Sequence, residues 1–394
     1  MNPQGKGIFL KSMSSFFVGG ATAVLEGLPV EYRSMVLNGS PREVNPNGEQ
    51  VYGQMYVQYY LPEHSNGRGP LVFWHGGGMT GCTWETTPDG RNGWLWKFLE
   101  AGYDVLVSDA VERGRSSWAR FPQVYREAPV FRTKREAWTT FRIGPVYDPD
   151  PARREAYAGQ QFPTEAFDAF ANQWVPRWPG HESMILAAYE ALIDRVGHCH
   201  IVAHSQGAGF AAEIARRRPS AVRRVVGVEP GGMPQAAPIE ALPPHLVVWG
   251  DFIEPSGSHW VGYRQQAERY LDSIRGCADV TVLDLPESGI AGNSHLPMMD
   301  DPYEYEGVTD SWLSPGSVGS EQSPSYSTLD VRAKYTKELP VGKVEVFLDI
   351  FNILNKQSAT RMQDLVAGDG IYDFGQAVEW VEPRRAYLGV RYSF

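Results

Sequence analysis

From Gly53 onward, short apolar runs alternate with segments of helical period. Extended runs are GQMYVQYYLP (53–62), PLVFWHGGG (70–78), YDVLVSDA (103–110), CHIVAHS (199–205), RRVVGVEPGG (223–232), HLVVWGDF (245–252) and DVTVLDLPE (279–287). Helical period marks TPDGRNGWLWKFLEAG (87–102), ESMILAAYEALIDRVG (182–197), GAGFAAEIARRRP (207–219) and GYRQQAERYLDSIRG (262–276). β-branched strands separated by amphipathic helices predict parallel strands with crossover helices, an α/β sheet covered on both faces.

Two stretches break this rhythm. Residues 115–180 carry Trp118, Phe121, Phe131, Trp138, Phe141, Phe162, Phe167, Phe170, Trp174 and Trp178 with no strand period. An aromatic insertion that follows a strand reads as a cap over the carboxyl edge of the sheet, with some rings lining a pocket and the others forming the cap's own core. After the Ser/Gly/Pro-rich SPGSVGSEQSPSYS, apolar residues alternate in TLDVRAKYTKELP, GKVEVFLDIFNILNK and RRAYLGVRYSF. Leu329, Val331, Ala333 and Tyr335 follow period two, as do Leu388, Val390, Tyr392 and Phe394, the pattern of outer-membrane barrel strands. The linker places a boundary near residue 315, so a main domain over 1–314 and a β-rich appendage over 315–394 are expected. At the other end, FFVGGATAVLEGLPVEYRSMVLNG predicts two strands around a turn at Gly27-Leu28-Pro29. The alternative, a signal peptide cleaved after Ala-x-Ala, needs an apolar core that Gly19 and Gly20 interrupt. No targeting segment is expected, which as written leaves the chain in the cytoplasm.

Composition narrows the function. The 394 residues are 42% hydrophobic and 21% charged, as in a globular protein with a full core. A net charge of -10 with no basic block disfavours nucleic acid and anionic membrane surfaces as partners. No apolar run is long enough for a transmembrane helix. Cys82, Cys199 and Cys277 are too few and too scattered for a disulfide framework or a zinc site, so three thiols are expected, with a Cys199–Cys277 bridge as the alternative. No metal or organic cofactor is implied.

The chemistry centres on VAHSQGAGF (202–210). A strand runs into Ser205 and a helix leaves it, and Ala203, Gly207 and Gly209 supply the room such a sharp turn needs. A serine hydroxyl needs a base to take its proton. His295, in GIAGNSHLPMMD after the last core strand, fits the chain order Ser, acid, His. His204 neighbours Ser205 and should point away from it, while His198, His200, His245, His181 and His259 are less well placed. Two carboxylates end strands between Ser205 and His295: Glu229 in VVGVEPGG and Asp251 in VVWGDFIE. Chain order slightly favours Asp251, which ends the later strand. HGGGMTG (75–81) lacks the endings of a phosphate loop and suits an oxyanion hole, with one N–H from Gly77 or Gly78 and another from Gln206. His75 reads as structural, while Arg113 and Arg115 after the strand VLVSDA have either a conformational role or a structural one, pairing with acidic neighbours.

Taken together, FFVGG, WHGGGMTGCTWETTPDGR, VAHSQGAG, VEPGG and GNSHLPMMD resemble the bacterial α/β-hydrolase esterases typified by an Alcaligenes esterase, over about residues 7–300. The resemblance implies an α/β-hydrolase fold. Ser205 is then the nucleophile, His295 the base, and Gly77 with Gln206 the oxyanion donors. It implies a glutamate on the strand after the nucleophile's, which moves the third role from Asp251 to Glu229. Family members are often secreted or periplasmic. Two departures stand out: the family pattern has adjacent cysteines where this chain has Gly77 and Gly78, and the segment after His295, DDPYEYEGVTDSWLSPG, is a poor closing helix. The tail is similar to the last strands of TonB-dependent outer-membrane receptors, carried by LDIFNILNK and YLGVRYSF. The expected activity is a serine hydrolase acting on small-molecule esters, apolar or aryl, through an acyl-enzyme. Lactone or amide hydrolysis by the same residues is the nearest alternative, and a non-catalytic outer-membrane or surface binding protein is the alternative of another class. A homodimer is compatible with all of these.

Overall fold

The computed structural model describes residues 7–235, 241–300, 331–338, 340–352, 355, 359–362, 377–380 and 383–393. The chain divides into two compact units, Met1–Tyr303 and Glu304–Phe394.

The first unit is built on eight strands: β1 (Leu10–Leu25), β2 (Gly48–Pro62), β3 (Leu71–Trp74), β4 (Val105–Asp109), β5 (Cys199–His204), β6 (Val222–Val228), β7 (His245–Trp249) and β8 (Val280–Asp284). Their order across the sheet is β1-β2-β4-β3-β5-β6-β7-β8. From β4 to β8 every pairing is parallel, whereas β1 with β2 and β2 with β4 are antiparallel. Burial follows position. Every residue of β3, β4, β5 and β7 is buried, which is why these strands read as continuous apolar runs, while the edge strand β1 is mostly exposed.

The helices α1 (Trp94–Glu100), α2 (Glu182–Val196), α3 (Gln206–Arg217) and α4 (Ser258–Ile274) are those that apolar period predicts. One is shorter than expected: in TPDGRNGWLWKFLEAG only Trp94–Glu100 is helical. Upstream, Thr87 pairs with Arg91 across a turn that Asp89 and Gly90 close, and the helix waits for Gly93. The main core lies between the sheet and α2 with α3, where Trp74 stacks on Tyr189 with ring centroids 3.8 Å apart. A second core sits under α4 around Trp249, Trp260 and Tyr270.

The N-terminal expectation holds in part. Strands do flank Gly27-Leu28-Pro29, but they belong to different sheets. β1 pairs with β2, and Glu31–Arg33 pairs with Arg42–Val44 in a small ribbon. β1 bends at Gly19, whose φ is +66° and whose missing Cβ leaves room for Ala188 of α2. The Cys199–Cys277 bridge does not form, and all three cysteines are free. Cys199 is buried at the start of β5, whereas the Cys277 thiol donates to the carbonyl of Ile274 at the end of α4.

The aromatic insertion between β4 and α2 holds short helical turns rather than long elements, including Lys134–Thr140 and Phe167–Ala171. Trp138, Phe141, Phe162, Phe167, Phe170 and Trp178 are buried, and Phe167 and Phe170 pack edge-on against Trp174. Trp118, Phe121 and Phe131 are exposed.

In the second unit, β9 (Val331–Glu338), β10 (Lys343–Phe351) and β11 (Arg385–Ser393) form an antiparallel sheet in the order β9-β10-β11. The alternating residues give strands, as period two predicts, with Tyr335, Tyr387, Val390 and Tyr392 exposed. Glu345 and Asp349 of β10 pair across the sheet with Lys334 and Arg332 of β9. Residues 301–330, with the segment after His295, the linker and Leu329, lie outside the described residues, as does Phe394.

Among the glycines of the first unit, Gly209 has the least room. A Cβ there would lie 1.9 Å from the carbonyl oxygen of Gly232. Gly209→Ala is expected to cost about 1–3 kcal/mol through overpacking. At Gly262, inside α4, a Cβ meets nothing within 4 Å, so Gly262→Ala is expected to raise stability by up to about 1 kcal/mol. Urea midpoints of the two variants against the wild type check the contrast.

Candidate functional site

Ser205 stands between β5 and α3 with φ +52° and ψ -121°, a conformation that a side-chain-bearing residue adopts only under constraint. Its neighbours leave the chain no alternative course. A Cβ on Gly207 would lie 2.6 Å from the carbonyl of His75, and one on Gly76 would lie 3.1 Å from Cβ of Ser205. The Ser205 N–H donates to Val228 of β6 at 2.9 Å, which fixes the turn to the sheet. The small residues in VAHSQGAGF are there because backbone and side chains close in on every side.

The hydroxyl meets His295. Nε2 of His295 is 2.9 Å from Oγ of Ser205, and Nδ1 is 3.1 Å from Oε2 of Glu229. Glu229 follows β6 with φ +53° and is fully buried. Its carboxylate accepts two bonds from Arg142, 2.7 Å from Nη1 and 2.6 Å from Nη2, and one from the N–H of Gly250. Burial works to raise the pKa of this carboxyl, but Arg142 and His295 outweigh it and hold it at about 2. His295 is pushed the other way. Burial lowers it to about 4 against the pull of Glu229, with Arg142 and Arg132 adding to the drop. At neutral pH the pair is therefore an imidazole beside a carboxylate, and the imidazole can accept a proton.

Of the two strand-end carboxylates, the structure brings Glu229 to His295 and leaves Asp251 elsewhere. Asp251 does not reach His295. Its carboxylate accepts the N–H of Phe252 at 2.7 Å and that of Gly292 at 2.9 Å, so it pins the loop leading to His295. Glu229 has a left-handed backbone, with φ +53°, and Gly250 leaves room for its carboxylate: a Cβ there would be 3.0 Å from Oε1.

Several residues that the sequence does not single out hold the histidine. His204, already named by the sequence, takes part as well, with its Nε2 2.7 Å from the carbonyl of His295. The His295 N–H donates to the carbonyl of Phe141 at 2.9 Å, and the Phe141 ring lies parallel to the imidazole at 5.8 Å. The Trp260 ring is 4.0 Å away. Asp300 accepts from the N–H and hydroxyl of Ser294 at 2.8 Å and 2.7 Å, and burial pushes its carboxyl up to about 7. Arg142 is the largest omission. It lies in the aromatic insertion, where no motif or period marks one arginine among several.

The glycine loop lies alongside. The missing Cβ of Gly77 would sit 3.0 Å from Oε1 of Gln206, so the two expected oxyanion residues are neighbours. The Gln206 amide opens α3, where an N–H has no partner within the helix. His75 holds the loop, with Nδ1 2.8 Å from the carbonyl of Gly76 and Nε2 accepting from Ala110 at 2.9 Å. Asp109 accepts the N–H of Gly81 at 2.8 Å and is bound by Arg115, and Arg113 pairs with Glu112 at 2.7 Å. These contacts agree with the reading of His75 as structural and, for Arg113 and Arg115, with pairing to acidic neighbours.

Two predictions follow from the charges. Burial lowers His75, His200, His245 and His295 to about 4, and His204 further, so between about pH 6.5 and 4 the unfolded chain binds more protons than the folded one. Asp300, raised to about 7, opposes them as a single group. Stability should therefore fall steeply as pH drops through that window, measured as Tm against pH. Arg142→Gln leaves a buried carboxylate half-matched and is expected to cost about 3–5 kcal/mol. Urea unfolding of the variant checks it, and a loss below about 1 kcal/mol would mean that the pair contributes little.

No protein-family model matches the chain. A fungal protein described as a probable secreted lipase (phiG, Fungal sp.) is 32% identical over 189 residues, which is 46% of this chain and 50% of that protein. The chain thus spans about half the length of the curated relative it matches. A solved structure described as a novel bacterial esterase superposes with a TM-score of 0.64 at 30% identity, over 76% of this chain and 94% of that one. Sheet order, the turn at Ser205 and this match over nearly all of the esterase place the chain in the α/β-hydrolase family, alongside that bacterial esterase.

Proposed function

We propose that this chain hydrolyses carboxylic esters through an acyl-enzyme. In this reading Ser205 attacks the ester carbonyl while His295 takes its proton at Nε2. Glu229 holds the imidazole by Nδ1 and stabilises the cation that forms. The amides of Gly77 and Gln206 receive the oxyanion. His295 then returns the proton to the leaving alcohol, and a water activated at the same nitrogen releases the acid. The observation that carries the reading is the unbroken line Ser205 Oγ, His295 Nε2, His295 Nδ1, Glu229 Oε2, at 2.9 and 3.1 Å, mounted on a constrained strand-to-helix turn. The descriptions of the two relatives, an esterase and a probable lipase, point to the same bond.

Phe141 and Trp260 flank the imidazole, so an apolar or aryl group beside the scissile bond fits best. The hydrolase in this reading is the segment 1–314 with its insertion at 115–180. The β-rich 315–394 segment, whose strands have the alternation of an outer-membrane receptor, is an appendage that supplies none of the residues named.

The test is a burst experiment with p-nitrophenyl acetate and butyrate. Wild type should release about one equivalent of nitrophenol before steady turnover. Ser205→Ala should lose both, with kcat down by about 10⁴-fold or more. Equal turnover by the variant would sink the assignment. Because His295 is held at about 4, kcat/KM should stay level down to about pH 5 and fall below it as the imidazole protonates. An acid limb centred near 6.5 would show that burial does not set the base.

A further inference from the structure

Arg132 has no task in the reaction as derived, yet it stands against the same wall. Its side chain is only 5% exposed, and its one carboxylate partner, Glu136 at 3.2 Å, is half-exposed and shared with Arg177 at 3.3 Å. Two guanidinium groups thus face one carboxylate, which leaves a positive charge in excess. Arg142 does not change this balance, because Glu229 matches it.

The position of that charge is specific. Nη2 of Arg132 lies 3.5 Å from the carbonyl oxygen of Gly77, in the glycine loop. The guanidinium lies 4.6 Å over the ring of Phe141, the ring that stacks on His295. Its Nε is buried with no hydrogen-bond partner, and so is the indole N–H of Trp174. Trp174 belongs to the same wall, since its ring packs on Phe141 and the next residue, Val175, donates to Gly78 at 3.0 Å. A desolvated arginine whose charge is in excess is costly unless an anion completes it. A carboxylate is the group that matches a guanidinium fork.

We infer that the Arg132 guanidinium receives a carboxylate on the substrate, so that the preferred substrates are esters carrying an anionic group. This rests on the ester-hydrolase reading above and refines its substrate class: an apolar or aryl body ending in a carboxylate. Arg132 remains protonated at neutral pH, since burial and Arg177 lower it only to about 10.

The test uses matched ester pairs on the full chain. Mono-p-nitrophenyl adipate against p-nitrophenyl heptanoate places the charge on the acyl side. 3-Acetoxybenzoate against 3-acetoxybenzamide places it on the alcohol side. In wild type, kcat/KM for the anionic member of at least one pair should exceed that of its neutral partner by about tenfold or more, the size of one buried charged hydrogen bond. The preference should shrink at high salt, collapse in Arg132→Met and survive in part in Arg132→Lys. Each ratio is taken within one protein, so a general loss of activity in a variant does not affect it.

A wild-type ratio near one for both pairs would overturn the inference and leave the esterase reading intact, whatever the variants do. An anionic preference that persists undiminished in Arg132→Met would also overturn it. Failure of wild type to hydrolyse any of the four would remove the ester reading itself, and the inference with it.

Discussion

The buried pair of Arg142 and Glu229 is the constraint on which the site depends. Two charges removed from water are tolerable only when their geometry is good and their remaining hydrogen-bonding capacity is used. Here the guanidinium meets the carboxylate with both Nη atoms, and Gly250 and His295 take up the rest of the carboxylate, while Nε of Arg142 is buried without a partner. The pair ties together three parts of the chain that are distant in sequence: the aromatic insertion, the end of β6 and the loop carrying His295. Burial is what chiefly holds the imidazole neutral beside that carboxylate, and the Arg142 cation adds to it by opposing a second positive charge on His295.

Around that pair, the geometry is set by atoms that are missing. Gly76, Gly207, Gly209 and Gly250 each sit where a Cβ would collide with backbone or with a side chain of the site. The constrained backbone of Ser205 persists because the strands and the helix on either side are buried and cannot relax. The insertion contributes in two ways. Its backbone, at Phe141, accepts from His295, and its aromatic rings form the wall beside the imidazole. Phe141 is thus both packed within the insertion, against Phe170, and set beside the imidazole.

The two units differ in what fixes them. In the first, the central strands β3, β4, β5 and β7 are buried along their whole length, so sequence and burial agree there. In the second, three antiparallel strands pair along their length, and cross-strand ion pairs such as Arg332 with Asp349 set the register while aromatic and valine side chains remain exposed. Among the described residues, no helix is long and apolar enough to cross a membrane.

The alternation of apolar runs with helical period was enough to place seven of the eight strands of the main sheet and its four helices, because in a parallel sheet burial on both faces leaves a strong local signature. The turn at Ser205 was equally legible, since its steric demands fall on immediate neighbours, and chain order brought His295 forward. What only the tertiary structure decided was which carboxylate faces the histidine. Glu229 and Asp251 both end strands, and local sequence carries no information about an arginine 87 residues away in an insertion without period. Trp260, Asp300 and Arg132 escaped notice for the same reason. Their roles arise from contacts across the sheet and the insertion, and such contacts exist only once burial has brought those segments together.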